Sequence, residues 1–124
     1  MNERILIVDD DPTVHEVARA YLERAGYVVE SAMTGGDGVA LTGDNDFGAI
    51  IVDQRLPDLP GHAVLENVRR RSPAPVLMLS GGAGGDDRDQ ALAGGAADYL
   101  SKPFSGRELV ARVNALLRGE GSDV

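Results

Sequence analysis

The chain contains no cysteine and no tryptophan. Without thiols there is no disulfide framework and no Cys-based metal site, which fits a reducing compartment and leads us to expect a cytoplasmic location. Aromatic residues make up only 4% of the chain, too few for the stacking platform that binds single-stranded nucleic acid. Positive charge is the scarcer sign, with 12 Lys+Arg against 20 Asp+Glu, a formal net charge of -8 and a pI of about 4.6. Such a chain has no general attraction for nucleic acid or for an anionic membrane. No apolar run approaches the roughly 20 residues of a membrane span, and no secretory pattern precedes Arg4, where a strand begins. The 124 residues suffice for one domain with a real core and leave little length for a second.

What the chain does have is a series of short apolar runs, each followed by a helical pattern. Ile5-Leu6-Ile7-Val8 reads as a strand and is broken by Asp9-Asp10-Asp11-Pro12. Pro12 suits a first helical turn, and Asp11 before it can cap the free amides. Val14, Val17, Ala18, Tyr21 and Leu22 then recur at helical spacing until Gly26 stops the helix. Residues 27–32 form a second strand of mixed polarity, and 34–41 a weak, Gly-rich helix. Ala49-Ile50-Ile51-Val52-Asp53 is the third strand, followed by a turn carrying Pro57, Pro60 and Gly61. Ala63, Val64, Leu65 and Val68 predict a helix that ends in Arg69-Arg70-Arg71, a solvated helix end rather than a nucleic-acid patch.

Pro75-Val76-Leu77-Met78-Leu79-Ser80 is the fourth strand. The loop 81–85 has no side chain beyond a methyl group, so we expect it to be mobile. A short helix over about 86–93 and a fifth strand over 97–101 lead to Lys102-Pro103-Phe104. The last helix has the clearest start: Ser105 and Glu108 fit a capping box, with Phe104 and Leu109 placed for a hydrophobic staple. Leu109, Val110, Val113, Leu116 and Leu117 are its buried stripe, and Gly119 marks its end. We therefore divide the chain into a domain over 1–118 and a tail, or the start of a linker, over 119–124.

Five alternations of strand and helix predict an α/β layer fold with a parallel sheet. The first, third and fourth strands are uniformly apolar, as strands covered on both faces are. The second and fifth are mixed, as edges tend to be. That placement fits the flavodoxin-like (βα)5 sheet with strand order 2-1-3-4-5, whose ligand crevice lies outside the C-terminal strand ends. A single Asp closing a strand is ordinarily a turn or cap residue. Here, however, the crevice collects Asp9 and Asp10 from the first strand, Asp53 from the third, Ser80 from the fourth and Lys102 from just beyond the fifth. Crowded carboxylates raise one another's pKa. A hard divalent cation such as Mg²⁺, which takes carboxylates and water, relieves this. Ser80 adds a hydroxyl donor, and Lys102 a mobile point charge suited to phosphate. These are the parts for phosphoryl transfer, in which positioning and charge neutralisation do most of the catalysis.

Four motifs carry a family resemblance: the first strand with Asp9-Asp10-Asp11-Pro12, then Asp53-Gln54-Arg55-Leu56-Pro57 with Gly61, then the run 75–80, then Gly95-Ala96-Ala97-Asp98-Tyr99-Leu100-Ser101-Lys102-Pro103-Phe104. In their order and spacing the chain resembles the receiver domains of two-component response regulators over residues 4–118. The resemblance implies that Asp53 accepts a phosphoryl group from a phosphohistidine on a sensor histidine kinase. It implies Mg²⁺ held directly by Asp10, Asp53 and the backbone carbonyl of Arg55, with Asp9 acting mainly through water. Lys102 would pair with Asp53 and then with the phosphoryl group. Ser80 would move to bond a phosphoryl oxygen, and Tyr99 would turn inward, a two-state element that carries a local charge change to a distant surface. A cis peptide between Lys102 and Pro103 is also implied, since only an X-Pro bond makes that isomer cheap. The chain would then be no enzyme beyond catalysing its own Asp phosphorylation and dephosphorylation.

The chain departs from the commonest family pattern at several positions. Ser80 stands where Thr is frequent and Gly81 where Ala is frequent. Arg55 and Gly82 occupy positions that tune dephosphorylation. Arg88 with Glu108, and Asp98 with Arg112, match charged positions through which OmpR/PhoB-type regulators dimerise, on the face built from the fourth helix, fifth strand and fifth helix. Isolated exposed pairs contribute little on their own, and Ala97 and Gly119 lack charges often found in that type. The expected partners are a histidine kinase and a second copy of the chain. No DNA-binding segment is present, so any output domain, including one for transcription regulation, would lie outside this chain.

A second reading is an enzyme. Ile5-Leu6-Ile7-Val8-Asp9-Asp10-Asp11-Pro12-Thr13 also resembles the nucleophile motif of haloacid dehalogenase-type phosphatases, with Asp9 as nucleophile and Ser80 and Lys102 in support. Those enzymes need an acidic pair after the Lys, yet only Glu108, Glu120 and Asp123 follow Lys102, and they leave Asp53 unexplained. His15 and His62 are expected on solvated helix surfaces.

Overall fold

The computed structural model describes residues 3–44, 46–81 and 85–120, with 44, 85 and 86 described through their backbone alone. The expected mobile loop and the tail therefore fall largely outside the described residues, at 82–84 and 121–124. The elements are β1 (Arg4–Val8), α1 (Pro12–Arg24), β2 (Val28–Ala32), α2 (Gly35–Asp44), β3 (Ala49–Asp53), α3 (Gly61–Arg71), β4 (Val76–Ser80), α4 (Gly85–Ala93), β5 (Asp98–Ser101) and α5 (Gly106–Leu117). The five strands are all parallel, in the order β2-β1-β3-β4-β5. The three apolar runs are indeed the interior strands, and the two mixed ones are the edges. No described helix is long and apolar enough to cross a membrane.

Because side chains alternate across a strand, each interior strand serves two cores. Leu6, Val8, Ile50, Val52, Val76 and Met78 face one side, where Val64 and Val68 of α3 and Ala91 of α4 cover them. Ile5, Ile7, Ile51, Leu77 and Leu79 face the other, against Val14, Ala18 and Leu22 of α1 and Leu109, Val113 and Leu116 of α5. The same alternation sorts the residues at the strand ends. Continuing from Val8 and Val52, Asp9 and Asp53 fall on the α1/α5 side, whereas Ser80 and Tyr99 fall on the side of α4.

Local signals act where expected. Asp11 caps α1 by accepting from the Thr13 amide at 2.9 Å, and α1 ends before Gly26, whose φ of +101° suits glycine alone. Ser105 caps α5, accepting from the Glu108 amide at 3.0 Å. α2 runs to Asp44 rather than stopping near residue 41. Its Gly-rich start is held from outside the helix: both carboxylate oxygens of Asp58, in the β3–α3 connection, accept from the amides of Gly35 and Gly36 at 2.8 and 2.9 Å. Those two bonds hold the Asp58 carboxyl below its ordinary pKa, Gly36 contributing most. At Gly61 a Cβ would lie 2.6 Å from the Gln54 Cα and 2.8 Å from its carbonyl oxygen. The turn that leaves Asp53 closes only over a residue without a side chain.

Candidate phosphoacceptor and cation site

β1 and β3 are paired through Val8 and Val52, so their next residues, Asp9 and Asp53, emerge side by side. Asp9 is fully buried and Asp53 is 6% exposed, while Asp10 faces solvent. One carboxylate oxygen from each of Asp9, Asp10 and Asp53 lies within 4.8 Å of the others. Lys102 reaches in from the end of β5, its Nζ 2.9 Å from Asp9 Oδ2 and 3.3 Å from Asp53 Oδ1. The peptide that follows it, Lys102–Pro103, is cis.

The electrostatics follow from this packing. Burial, and then the charge of Asp9, push the Asp53 carboxyl above its ordinary pKa, and Lys102 only partly offsets them. Burial works to lower the Lys102 ammonium, but hydrogen bonding to Asp9 and the charges of Asp9 and Asp53 outweigh it and hold the pKa above the ordinary value. Three carboxylates against one ammonium leave two negative charges uncompensated, the charge of one dication. The oxygen-only donor set is of the type hard cations take. Arg55, two residues past Asp53, is exposed and pairs in an isolated antiparallel bridge with Pro60, which fixes the backbone of the connection beside this cluster.

The second pair sits on the α4 side. Ser80 is 2% exposed, and its hydroxyl donates to Asp87 Oδ2 on α4 at 3.3 Å. Tyr99 is already turned inward, 7% exposed within the core cluster under α3 and α4. Its hydroxyl is buried with no partner among the described residues. The sequence singled out Ser80 and Tyr99 but had no way to single out Asp87, one acidic residue among several on a polar helix.

The charges proposed for an interface share one face. Arg88, Glu108 and Arg112 line a groove beside Tyr99 and Ser101. Within it Arg112 Nη1 donates to Asp98 Oδ1 at 2.9 Å and to the Tyr99 carbonyl at 3.1 Å, and Arg112 Nη2 lies 3.8 Å from Glu108 Oε2. Asp98 and Arg112 thus pair inside the chain. Arg88, on α4, is partly buried.

One expectation is overturned. His15 is not a solvated surface residue but 8% exposed, and its Nε2 donates to the Asp9 backbone carbonyl at 2.6 Å. The signal was present in the sequence, because 15, 18 and 22 follow helical spacing with the buried Ala18 and Leu22. His62 is exposed, as expected.

A family model described as "Response regulator receiver domain" matches residues 5–114. The transcriptional regulatory protein SrrA of Staphylococcus aureus is 36% identical over 118 residues, which are 95% of this chain and 49% of that protein. The chain thus spans about half the length of the curated relatives it matches. Among solved structures, a CheY-like response regulator receiver domain protein from Methanospirillum hungatei superposes with a TM-score of 0.90 at 33% identity, covering 96% of each chain. A response regulator protein from Burkholderia pseudomallei, solved with a phosphorylated aspartic acid, calcium ion and citrate, has a TM-score of 0.84 at 28% identity, covering 95% of this chain and 70% of that one.

Proposed function

The chain belongs to the response regulator receiver domain family, and from that premise we propose that Asp53 is its phosphoacceptor and a histidine kinase its phosphodonor. The observation that carries this reading is the position of Asp53 at the end of the central strand. It is nearly buried, 3.3 Å from an ammonium, and clustered with two further carboxylates. The haloacid dehalogenase alternative is not supported. The family match is to receivers, and Asp9 is fully buried, with Lys102 at 2.9 Å from Oδ2 and the Asp11 amide donating to Oδ1 at 2.9 Å.

In the proposed step an Asp53 oxygen attacks phosphorus, the P–N bond to the donor imidazole breaks, and the imidazole leaves with the electron pair. An acyl phosphate on Asp53 results. Bound Mg²⁺ would supply charge neutralisation that lets a dianionic phosphoryl group approach three carboxylates. Asp10, Asp53 and the Arg55 carbonyl would hold it, with Asp9 acting through water. Lys102, already between Asp9 and Asp53, would transfer its contact to the phosphoryl oxygens. An apolar groove lined by Val14, Val17 and Phe104 opens beside Gly81 and Lys102, the residue that contacts Asp53, and a donor protein would seat there.

Ser80 and Tyr99 would carry the change outward, Ser80 exchanging Asp87 for a phosphoryl oxygen. The face of α4, β5 and α5, with Arg88, Asp98, Glu108 and Arg112, would read the state, in one form by pairing with a second copy. In this reading the chain is a cytoplasmic signalling module that turns over only its own phosphate. Residues 1–118 are the receiver, 119–124 a tail or linker start, and any output domain lies elsewhere. Incubation with Mg²⁺ and acetyl phosphate, followed by mass spectrometry, tests the reading. We expect an acyl phosphate on Asp53 that Asp53→Asn abolishes. Phosphate turnover that depends on Asp9 as nucleophile would sink it.

A further inference from the structure

Asp9 has four polar atoms or groups, three of them hydrogen-bonded and the fourth, the buried Oδ2, set against a charge. Its amide donates to the Ala32 carbonyl at 3.1 Å. Oδ1 accepts from the Asp11 amide at 2.9 Å, and Oδ2 faces Lys102 Nζ at 2.9 Å. Its carbonyl accepts from His15 Nε2 at 2.6 Å. Three of these partners come from the edge strand β2, the loop after β1 and the segment just past β5. Only His15 comes from inside α1, on the stripe that Val14, Ala18 and Leu22 bury against the sheet.

A polar ring in such a stripe is costly unless its polar atoms are satisfied. Nδ1 has no partner among the described residues, so the bond to Asp9 is the imidazole's one polar contact there. A carbonyl only accepts, so Nε2 carries the proton. An apolar side chain would fill the stripe at lower cost. What histidine adds is a fixed distance between the first turn of α1 and the peptide that joins Asp9 to Asp10.

We infer that His15 is a positioning residue for the cation site: its Nε2–H bond sets the Asp9 carbonyl and thereby the direction in which the Asp9 and Asp10 carboxylates present to a divalent cation. The inference rests on the proposed assignment of Asp9, Asp10 and Asp53 as that site. Partners that orient ligands from behind change metal affinity by roughly 10–100-fold when removed, and an indirect bond through the backbone belongs at the lower end.

The test is Mg²⁺ binding by isothermal calorimetry, with thermal unfolding in EDTA read separately. His15→Leu keeps volume and apolar packing but removes the donor, and we expect Mg²⁺ to bind about ten-fold more weakly. His15→Gln keeps an amide N–H at similar reach and should recover most of that loss. Unchanged Mg²⁺ affinity in His15→Leu overturns the inference, even if the melting temperature falls. So does an equal loss in both variants, which would assign the effect to ring shape. Wild type that binds no Mg²⁺ sinks the cation site itself, a distinguishable result. Should His15→Leu fail to fold, NMR of the unaltered protein decides. A slowly exchanging His15 Nε2–H resonance that shifts on Mg²⁺ addition supports the role, and a resonance insensitive to Mg²⁺ refutes it.

Discussion

α4 and α5 cover the edge strand β5 from opposite faces of the sheet, and they are built to different standards. α5 has a side-chain cap at Ser105, an apolar residue on either side of that cap at Phe104 and Leu109, and Leu109, Val113 and Leu116 buried in one stripe. α4 is the sequence Gly-Asp-Asp-Arg-Asp-Gln-Ala-Leu-Ala, and among its described side chains only Ala91 is buried. One polar tie from it to the sheet is a 3.3 Å contact from Ser80 to Asp87. Local opening free energies follow buried apolar contact, so α5 is the fixed wall of β5 and α4 the yielding one. The strand alternation places Asp9 and Asp53 with the fixed wall, and Ser80 and Tyr99 with the yielding one. A charge change held rigidly on one side of the sheet can therefore be expressed as movement on the other.

Truncation in the two walls gives the largest contrast. Leu109→Ala removes a fully buried side chain and should cost about 2–5 kcal/mol in urea unfolding. Ala91→Gly on α4 should cost only about 1 kcal/mol, the helix-propensity difference. Equal losses at the two sites would erase the distinction between the walls.

The acidic cluster gives an effect of opposite sign. Burial and the Asp9 charge raise the Asp53 pKa in the folded chain, so ionised Asp53 opposes folding. That cost is absent below the ordinary carboxylate pKa of about 4, grows as pH rises through the folded value, and is complete above it. Asp53→Asn should thus stabilise the metal-free protein at neutral pH, with the gain vanishing at pH below about 4. Thermal unfolding in EDTA across pH measures it. A gain that persists undiminished at acid pH would assign the effect to something other than charge.

How far all this could be read from the residues depends on where each partner lies in the chain. The interior strands declared themselves because burial on both faces leaves no polar position in Ile5-Leu6-Ile7-Val8 or Ala49-Ile50-Ile51-Val52. Asp9, Asp53, Ser80 and Lys102 were legible because parallel strand ends share one rim. His15 was misread although its spacing matched the buried stripe. The group that satisfies it is a backbone carbonyl, which no side-chain pattern displays. Asp58 was invisible as the cap of α2 for a related reason: 22 or more positions separate it from the amides it holds. The inward position of Tyr99 depends on space under α3 and α4 that only packing defines.

The smallest change examines the tie itself. The Ser80–Asp87 bond is longer than the about 2.7–2.8 Å usual for O–H···O, and α4 has little else buried to hold it. Asp87→Ala should leave global stability within about 0.5 kcal/mol, as for a change away from the core. Yet it should speed amide exchange of α4 several-fold while leaving that of α5 unchanged, because the two helices share β5 but not a core. Exchange that quickens equally in both helices would mean that β5 transmits the loosening across the sheet, and that the walls move together. Exchange unchanged in both would mean that contacts other than this bond, the buried Ala91 among them, secure α4. The split outcome is the one the packing demands, since Leu109, Val113 and Leu116 lose no neighbour when Asp87 is shortened.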